Sequence, residues 1–195
     1  DMVGEFEDLQ GVMGFYYATN DGEAPEVATA IYEQYLPRFA NDEVPNSPAG
    51  ITLALADRLD SLAGIFSIGQ QPSGSKDPFA IRRTSLGLLK ILLETNTDLD
   101  LKAAINFALD QIKLETAPSN TGELVLTYVL DRFAAIYKEQ GMPAENYKAV
   151  ASLGLVNPLD INARVIAVSQ FRLLPEAQSL ISANKRVANI LAKNS

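Results

Sequence analysis

Two carboxylates three residues apart, Asp57 and Asp60 in the run LADRLDSL (residues 55–62), are the only paired acids on an apolar helical pattern in this sequence. One turn of helix between them lets such a pair share a divalent cation or divide the roles of acid and base. The same spacing suits a solvated or ion-paired couple with Arg58 between them, and the residues favour that plainer reading. A second grouping follows at once. Lys76, Arg82 and Arg83 surround the pair Asp77-Pro78. Asp can accept from the free amides of a first helical turn, and Pro suits the first helical position, so the pair predicts a helix start. Cations beside the positive end of a helix make an anion site, or else simply a solvated helix face.

Other chemistry is excluded by composition. The 195 residues contain no Cys and no His. Thiolate catalysis, disulfides and Cys-ligated zinc are therefore absent from this sequence, as are the commonest general base and the commonest metal ligand. Ser-His-Asp sets, P-loops and G-x-G-x-x-G are not found, and Gly69, Gly74 and Gly87 are too scattered to cradle phosphate. An apolar fraction of 47% with 21% charged residues describes a folded globular chain. No run approaches the ~20 apolar residues of a membrane span, and a cytoplasmic location without membrane attachment is expected. The net charge is −8, unlike a free-standing nucleic-acid binder. Its distribution is uneven. Residues 1–60 carry 12 acids against Arg38 and Arg58, whereas residues 74–90 are net +3 and residues 183–195 also net +3.

The elements that must position these groups are all helical. Phe6, Leu9, Met13 and Tyr16 or Tyr17 recur at helical spacing over residues 3–18, ended by Asn20-Asp21-Gly22. Pro25 opens a helix to about Phe39 that buries Val27, Ile31, Tyr35 and Leu36, and Ser47-Pro48 opens one to about Ile68 with Leu55, Leu59, Leu62 and Phe66 as its stripe. Residues 69–75 read as a loop. From Pro78 to Thr95 the buried lines are Leu86, Leu89 and Leu93, with Leu88 and Leu92 beside them, and Arg83, Gly87, Lys90 and Glu94 form the polar face. Helices are expected at about 100–115, 121–140, 144–153, 159–172 and 175–193. No segment alternates with period two, so the fold class is all-α. Asn157-Pro158 is the best internal boundary and residues 118–122 a weaker one. The opening Asp1-Met2 reads as the interior of a longer protein.

Long words of the sequence carry a resemblance. TNDGEAPEVATAIYEQYLPRF (19–39), ALADRLDSLAGIFSIGQQP (54–72) and GSKDPFAIRR (74–83), with LQGVMGFYYA (9–18) and ANKRVANILAK (183–193), resemble the β subunit of bacterial heterotetrameric glycyl-tRNA synthetase. The resemblance implies an incomplete HD-like helical domain over 1–117, connecting helices over 118–157, and the beginning of a helical anticodon-binding domain over 158–195. LADRLDSL is similar to the last helix motif of HD-superfamily phosphohydrolases, with Asp57 as the degenerate HD position. With no His, an intact HD metal site cannot form here. The resemblance also implies an α subunit as partner, expected as α2β2, and tRNA(Gly) as ligand. ATP and Mg are used by the whole enzyme, whereas no cofactor, catalytic residue or metal ligand is expected in this part, which alone should be inactive. Lys76, Arg82 and Arg83 are the leading RNA-binding candidates. Lys185 and Arg186 join them on the polar side of a helix whose other side, Leu180, Ala183, Val187, Ile190 and Leu191, is expected to be buried. A metal-dependent phosphohydrolase and a purely structural helical spacer are the alternatives.

Overall fold

The computed structural model describes residues 2–112 and 117–193; the predicted helix over 100–115 ends partly outside the described residues. Eleven α-helices are found among the described residues, and no strand, in accord with the all-α expectation: α1 (Met2–Glu5), α2 (Val12–Asn20), α3 (Pro25–Glu33), α4 (Pro48–Ser67), α5 (Ile81–Glu94), α6 (Leu101–Ile112), α7 (Thr121–Leu130), α8 (Arg132–Glu139), α9 (Ala144–Ala151), α10 (Pro158–Phe171) and α11 (Ala177–Lys193). A short 3-10 turn, Glu7–Leu9, lies between α1 and α2.

The core is built on α4 and α5. Leu62, Leu88, Leu89, Ile91 and Leu92 are fully buried and pack with Leu101 and Ile105 of α6, Val125 and Val129 of α7, Phe133 of α8 and Val165 of α10. This single cluster runs through the chain from Ala54 to Val165. Ser47 caps α4 as its position predicts, accepting from the Gly50 amide at 3.0 Å, and Asn157 caps α10 by accepting from Leu159 and Asp160. Leu59, expected mid-stripe, is only partly buried.

Several expectations are corrected. Residues 3–18 do not form one helix, because Gly11 breaks it with φ +77°, and a Cβ there would lie 2.7 Å from the Tyr32 carbonyl. Phe6, Tyr16 and Tyr17, expected in a buried stripe, are 61%, 62% and 54% exposed, and Val27 is exposed too. Helix α3 ends at Glu33 rather than Phe39, since Pro37 lacks a donor and Arg58 takes the carbonyls that would continue the ladder. The predicted helix over 121–140 is two. Tyr147 Oη donates to the Leu130 carbonyl at 2.6 Å, and the Ala134 amide turns instead to Asp131. Leu86, placed in a buried line, is exposed, while Gly87, placed on the polar face, is buried.

Candidate nucleic-acid interface

Helix α5 begins at Ile81, three residues after the predicted Pro78, because Ala80 adopts the left-handed conformation (φ 54°) and ends the preceding turn. Asp77 nevertheless does the capping. Its carboxylate accepts from the Ile81 amide at 2.8 Å and the Arg82 amide at 2.9 Å. The first-turn amides of α5 are thus already occupied by an anion of the protein itself. Any phosphate approaching here meets side chains, not the helix end. Arg82 is half-buried and folds back to donate to the Ser75 and Gly74 carbonyls, stapling the loop before the helix. Lys76 sits at the tip of that loop, in a tight turn closed by reciprocal Ser73–Lys76 backbone bonds, and is exposed. Arg83 is exposed and lines a polar groove.

That groove, about 490 Å³, lies between the segment that follows α3, helices α4 and α5 and the 3-10 turn, and Glu7, Asp8, Arg38, Asp57, Arg58 and Arg83 are on its walls. The two carboxylates expected to cooperate do not combine. Asp57 lines the groove, where desolvation raises its carboxyl above the ordinary range despite the opposing pull of Arg58; Asp60 does not line it. Among the described residues no group of three or more His, Cys, Asp or Glu is placed to hold a metal ion.

Arg58, which looked like the solvent partner of these acids, is buried at 7% exposure. Its guanidinium donates to the carbonyls of Gln34 (3.1 Å), Ala54 (2.9 Å), Leu36 (2.8 Å) and Pro37 (3.2 Å). Gly87 makes room for it: a Cβ there would lie 3.0 Å from Arg58 Nε. Lys90 of α5 similarly donates to the carbonyls of Ala40 (2.7 Å) and Asp42 (2.6 Å). At the other end of the loop Glu33, 9% exposed, accepts from the Asn46 and Ser47 amides and the Ser47 hydroxyl. Residues 34–47 are therefore pinned by the buried Arg58, the partly buried Lys90 and the buried Glu33, each bonded to main chain. Arg38 closes the loop on itself through Asp42, at 2.8 Å, and holds that carboxyl below the ordinary range. A sequence signal for Arg58 exists: with Ala54 and Leu62 it forms an i, i+4, i+8 row along the edge of the buried stripe.

Lys185 and Arg186 are exposed on α11, where they border a shallow hollow with Ser182 and Asn189. The opposite side of α11, expected to be buried, faces outward in this structure: Leu180, Val187, Ile190 and Leu191 are 60%, 53%, 53% and 63% exposed. Lys76, Arg83, Lys185 and Arg186 share one property, which is that none is in an ion pair among the described residues. The exposed basic candidates therefore form two groups, the Lys76–Arg83 region and α11, and Arg82 is largely committed to its own loop.

Comparison with known proteins follows this division of the chain. Residues 1–152 match the family described as glycyl-tRNA synthetase beta subunit. The chain is 50% identical over 194 residues to the glycine–tRNA ligase beta subunit of Pseudomonas aeruginosa (strain PAO1), covering 100% of this chain and 28% of that protein. It is 53% identical over 193 residues to the same subunit of Marinobacter nauticus and 52% over 193 residues to that of Chromohalobacter salexigens, covering 99% of this chain and 28% of each relative. The chain thus spans little more than a quarter of the length of these relatives, and no helix among the described residues is long and apolar enough to cross a membrane. With a family match over most of its residues and half its positions identical in such relatives, this all-α chain belongs to the glycyl-tRNA synthetase beta subunit family.

Proposed function

We propose that this part of the beta subunit grips the backbone of tRNA(Gly) during glycyl-tRNA formation, while a companion α subunit carries glycine activation with ATP and Mg. The reading is supported by one observation above others: Lys76, Arg83, Lys185 and Arg186 are exposed and none is in an ion pair among the described residues, in a chain of net charge −8. RNA helices are recognised mainly through phosphates and 2′-hydroxyls, which such side chains reach. Arg82 contributes indirectly by holding the loop that carries Lys76. Asp57 takes no catalytic part in this reading, and the fragment supplies RNA affinity rather than bond-making chemistry.

The test is Lys76→Glu with Arg83→Glu in the full-length subunit, assembled with its companion. Glycine-dependent pyrophosphate exchange should persist, whereas tRNA charging should weaken. Each lost phosphate contact should flatten the salt dependence of tRNA binding by roughly 0.7–0.9 log units per log unit of salt. Equal loss in both assays would indicate a damaged assembly, and unchanged charging and salt dependence would refute the role.

A further inference from the structure

Phe79 is a half-exposed ring in the segment that leads into α5. It is 47% exposed, yet it stands two residues before Ile81, which is 1% exposed and opens the buried stripe of that helix. The backbone explains the difference. Ala80, between them, sits in the left-handed region at φ 54°, a conformation that disfavours any residue with a Cβ. It is held there from both sides. The Ala80 amide donates to the Asp77 carbonyl at 3.2 Å, and the Asp77 carboxylate accepts from the Ile81 and Arg82 amides at 2.8 and 2.9 Å. The resulting turn keeps Phe79 off the apolar stripe, while Arg82 fixes the loop in front of it through the Ser75 carbonyl. A strained alanine that holds an aromatic ring out of the core points to use of the ring, not to packing. The ring is also placed before any ligand arrives, which lowers the entropy cost of a contact.

Its surroundings set this ring apart from the other exposed aromatic side chains. Phe6, Tyr16 and Tyr17 belong to residues 1–37, which hold eight acids and no Lys or Arg. Phe39 lies beside Arg38, which is paired with Asp42. Phe171 adjoins Arg172, which donates to Asn146, and Phe107 has no Lys or Arg within four residues. Phe79 has Lys76, Arg82 and Arg83 within four residues, none of them in an ion pair among the described residues. The only acid of residues 73–90 is Asp77, and it is spent on the α5 amides. Tertiary packing adds Arg132, whose guanidinium stands 4.6 Å from the centre of the Tyr128 ring. The Tyr128 hydroxyl, buried without a hydrogen-bond partner among the described residues, lies within reach of the charges of Asp77 and Arg82. Arg83 shares its groove with Glu7, Asp8 and Asp57, so Lys76 is the cation here least opposed by acids.

We propose that Phe79 stacks on an unpaired nucleotide of the RNA while Lys76 meets a neighbouring phosphate. An exposed ring among cations is the combination that single-stranded nucleic acid fits, because every base has a π-face and every nucleotide a charge. Bases inside a duplex stack on one another and offer a ring no face, so the ring separates unpaired from paired RNA. One half-exposed ring is a full contact for one base, but only a small part of the apolar centre that a stable protein interface needs. The inference rests on the RNA-binding reading of Lys76 and Arg83 and adds to it the kind of RNA that this segment takes.

The experiment uses the full-length beta subunit assembled with its companion. The probes are a single-stranded RNA of about 12 nucleotides, within the site sizes of single-strand binders, and a duplex of the same sequence. Affinity is measured by fluorescence anisotropy at about 50–300 mM salt for Phe79→Leu, for Phe79→Tyr and for Lys76→Glu with Arg83→Glu. Phe79→Leu keeps apolar bulk and loses the ring. It should weaken single-strand binding about fivefold or more, with duplex binding, the salt slope and subunit assembly unchanged. Phe79→Tyr should keep wild-type affinity, and the charge reversal should flatten the salt slope for both probes. A flattened slope in the charge reversal, together with unaltered single-strand affinity in Phe79→Leu, would overturn the inference and leave the RNA reading standing. An unchanged slope in the charge reversal would remove that reading and the inference with it. Equal loss on both probes in Phe79→Leu would mean that the ring only shapes its loop, and weakened subunit assembly would hand it to a protein contact. Either result overturns the inference.

Discussion

Removing the buried guanidinium of Arg58 should unfold the region around residues 34–42 more effectively than removing any nearby acid. Arg58 donates to five carbonyls at 2.8–3.4 Å, and two of them, Leu36 and Pro37, lie in an irregular buried segment where no helical amide can replace the lost donor. Each buried carbonyl left unpaired costs about 1–3 kcal/mol. The Ala54 carbonyl lies inside α4 and keeps its helical partner, and the bonds to Gln34 and Tyr35 are only partly buried, so these three lose less. The sum for Arg58→Ala is therefore about 3–5 kcal/mol, the range also typical of uncoupling a buried charge from its partners. For a chain of this size that corresponds to a fall in Tm of roughly 8–15 °C. Arg58→Lys should recover less than half, because an ammonium is a single point and cannot span the forked set of acceptors. Asp57→Ala is the control: its carboxyl is disfavoured by desolvation, so its loss should be neutral or mildly stabilising. Urea unfolding followed by circular dichroism gives the midpoints for all three. If Arg58→Ala and Asp57→Ala shift the midpoint equally, or Arg58→Lys fully restores it, the clamp is not what holds this loop.

Helix α4 offers an internal contrast. Gly50→Ala should destabilise by about 1–3 kcal/mol through overpacking, since a Cβ there would collide with the Glu33 carboxylate, whereas Gly64→Ala, which meets nothing within 4 Å, should stabilise by about 0.5–1 kcal/mol; paired thermal melts decide the order. Leu62→Ala, at a fully buried position, should cost about 2–5 kcal/mol, and Leu59→Ala less, because Leu59 is only partly buried. Asp42→Asn should be destabilising at neutral pH but not in acid. The Arg38 bond lowers the folded carboxyl below its unfolded value of 3.8, so the stabilisation is present above that value and lost as pH falls through the folded one. A wild-type minus variant difference in unfolding free energy that persists at about pH 2 would contradict the assignment.

Helix number and type were legible where apolar spacing and caps agree. Ser47-Pro48 and Asn157-Pro158 start α4 and α10 as written, and the row Leu55, Leu62, Phe66 is buried as the period requires. The family was legible too, in words such as ALADRLDSLAGIFSIGQQP, and the relatives bear it out. Uncertainty concentrated where a local pattern has two physical solutions. An amphipathic row says that one side of a helix is apolar but not that a partner covers it, which is why Tyr16, Tyr17 and the apolar side of α11 lie exposed. A charged residue reads as solvated until a long-range contact supplies main-chain acceptors. Arg58 finds those acceptors 21–24 residues away and Lys90 48–50 residues away, distances over which sequence periodicity carries no signal. The start of α5 turned on a single left-handed Ala80 that no propensity favours. What the sequence determined by itself was therefore composition, helical periodicity and lineage, all local or cumulative properties. Only the tertiary structure decided which cations are spent on the chain's own carbonyls and which remain at the surface, because burial and hydrogen-bond satisfaction depend on segments that meet only after folding.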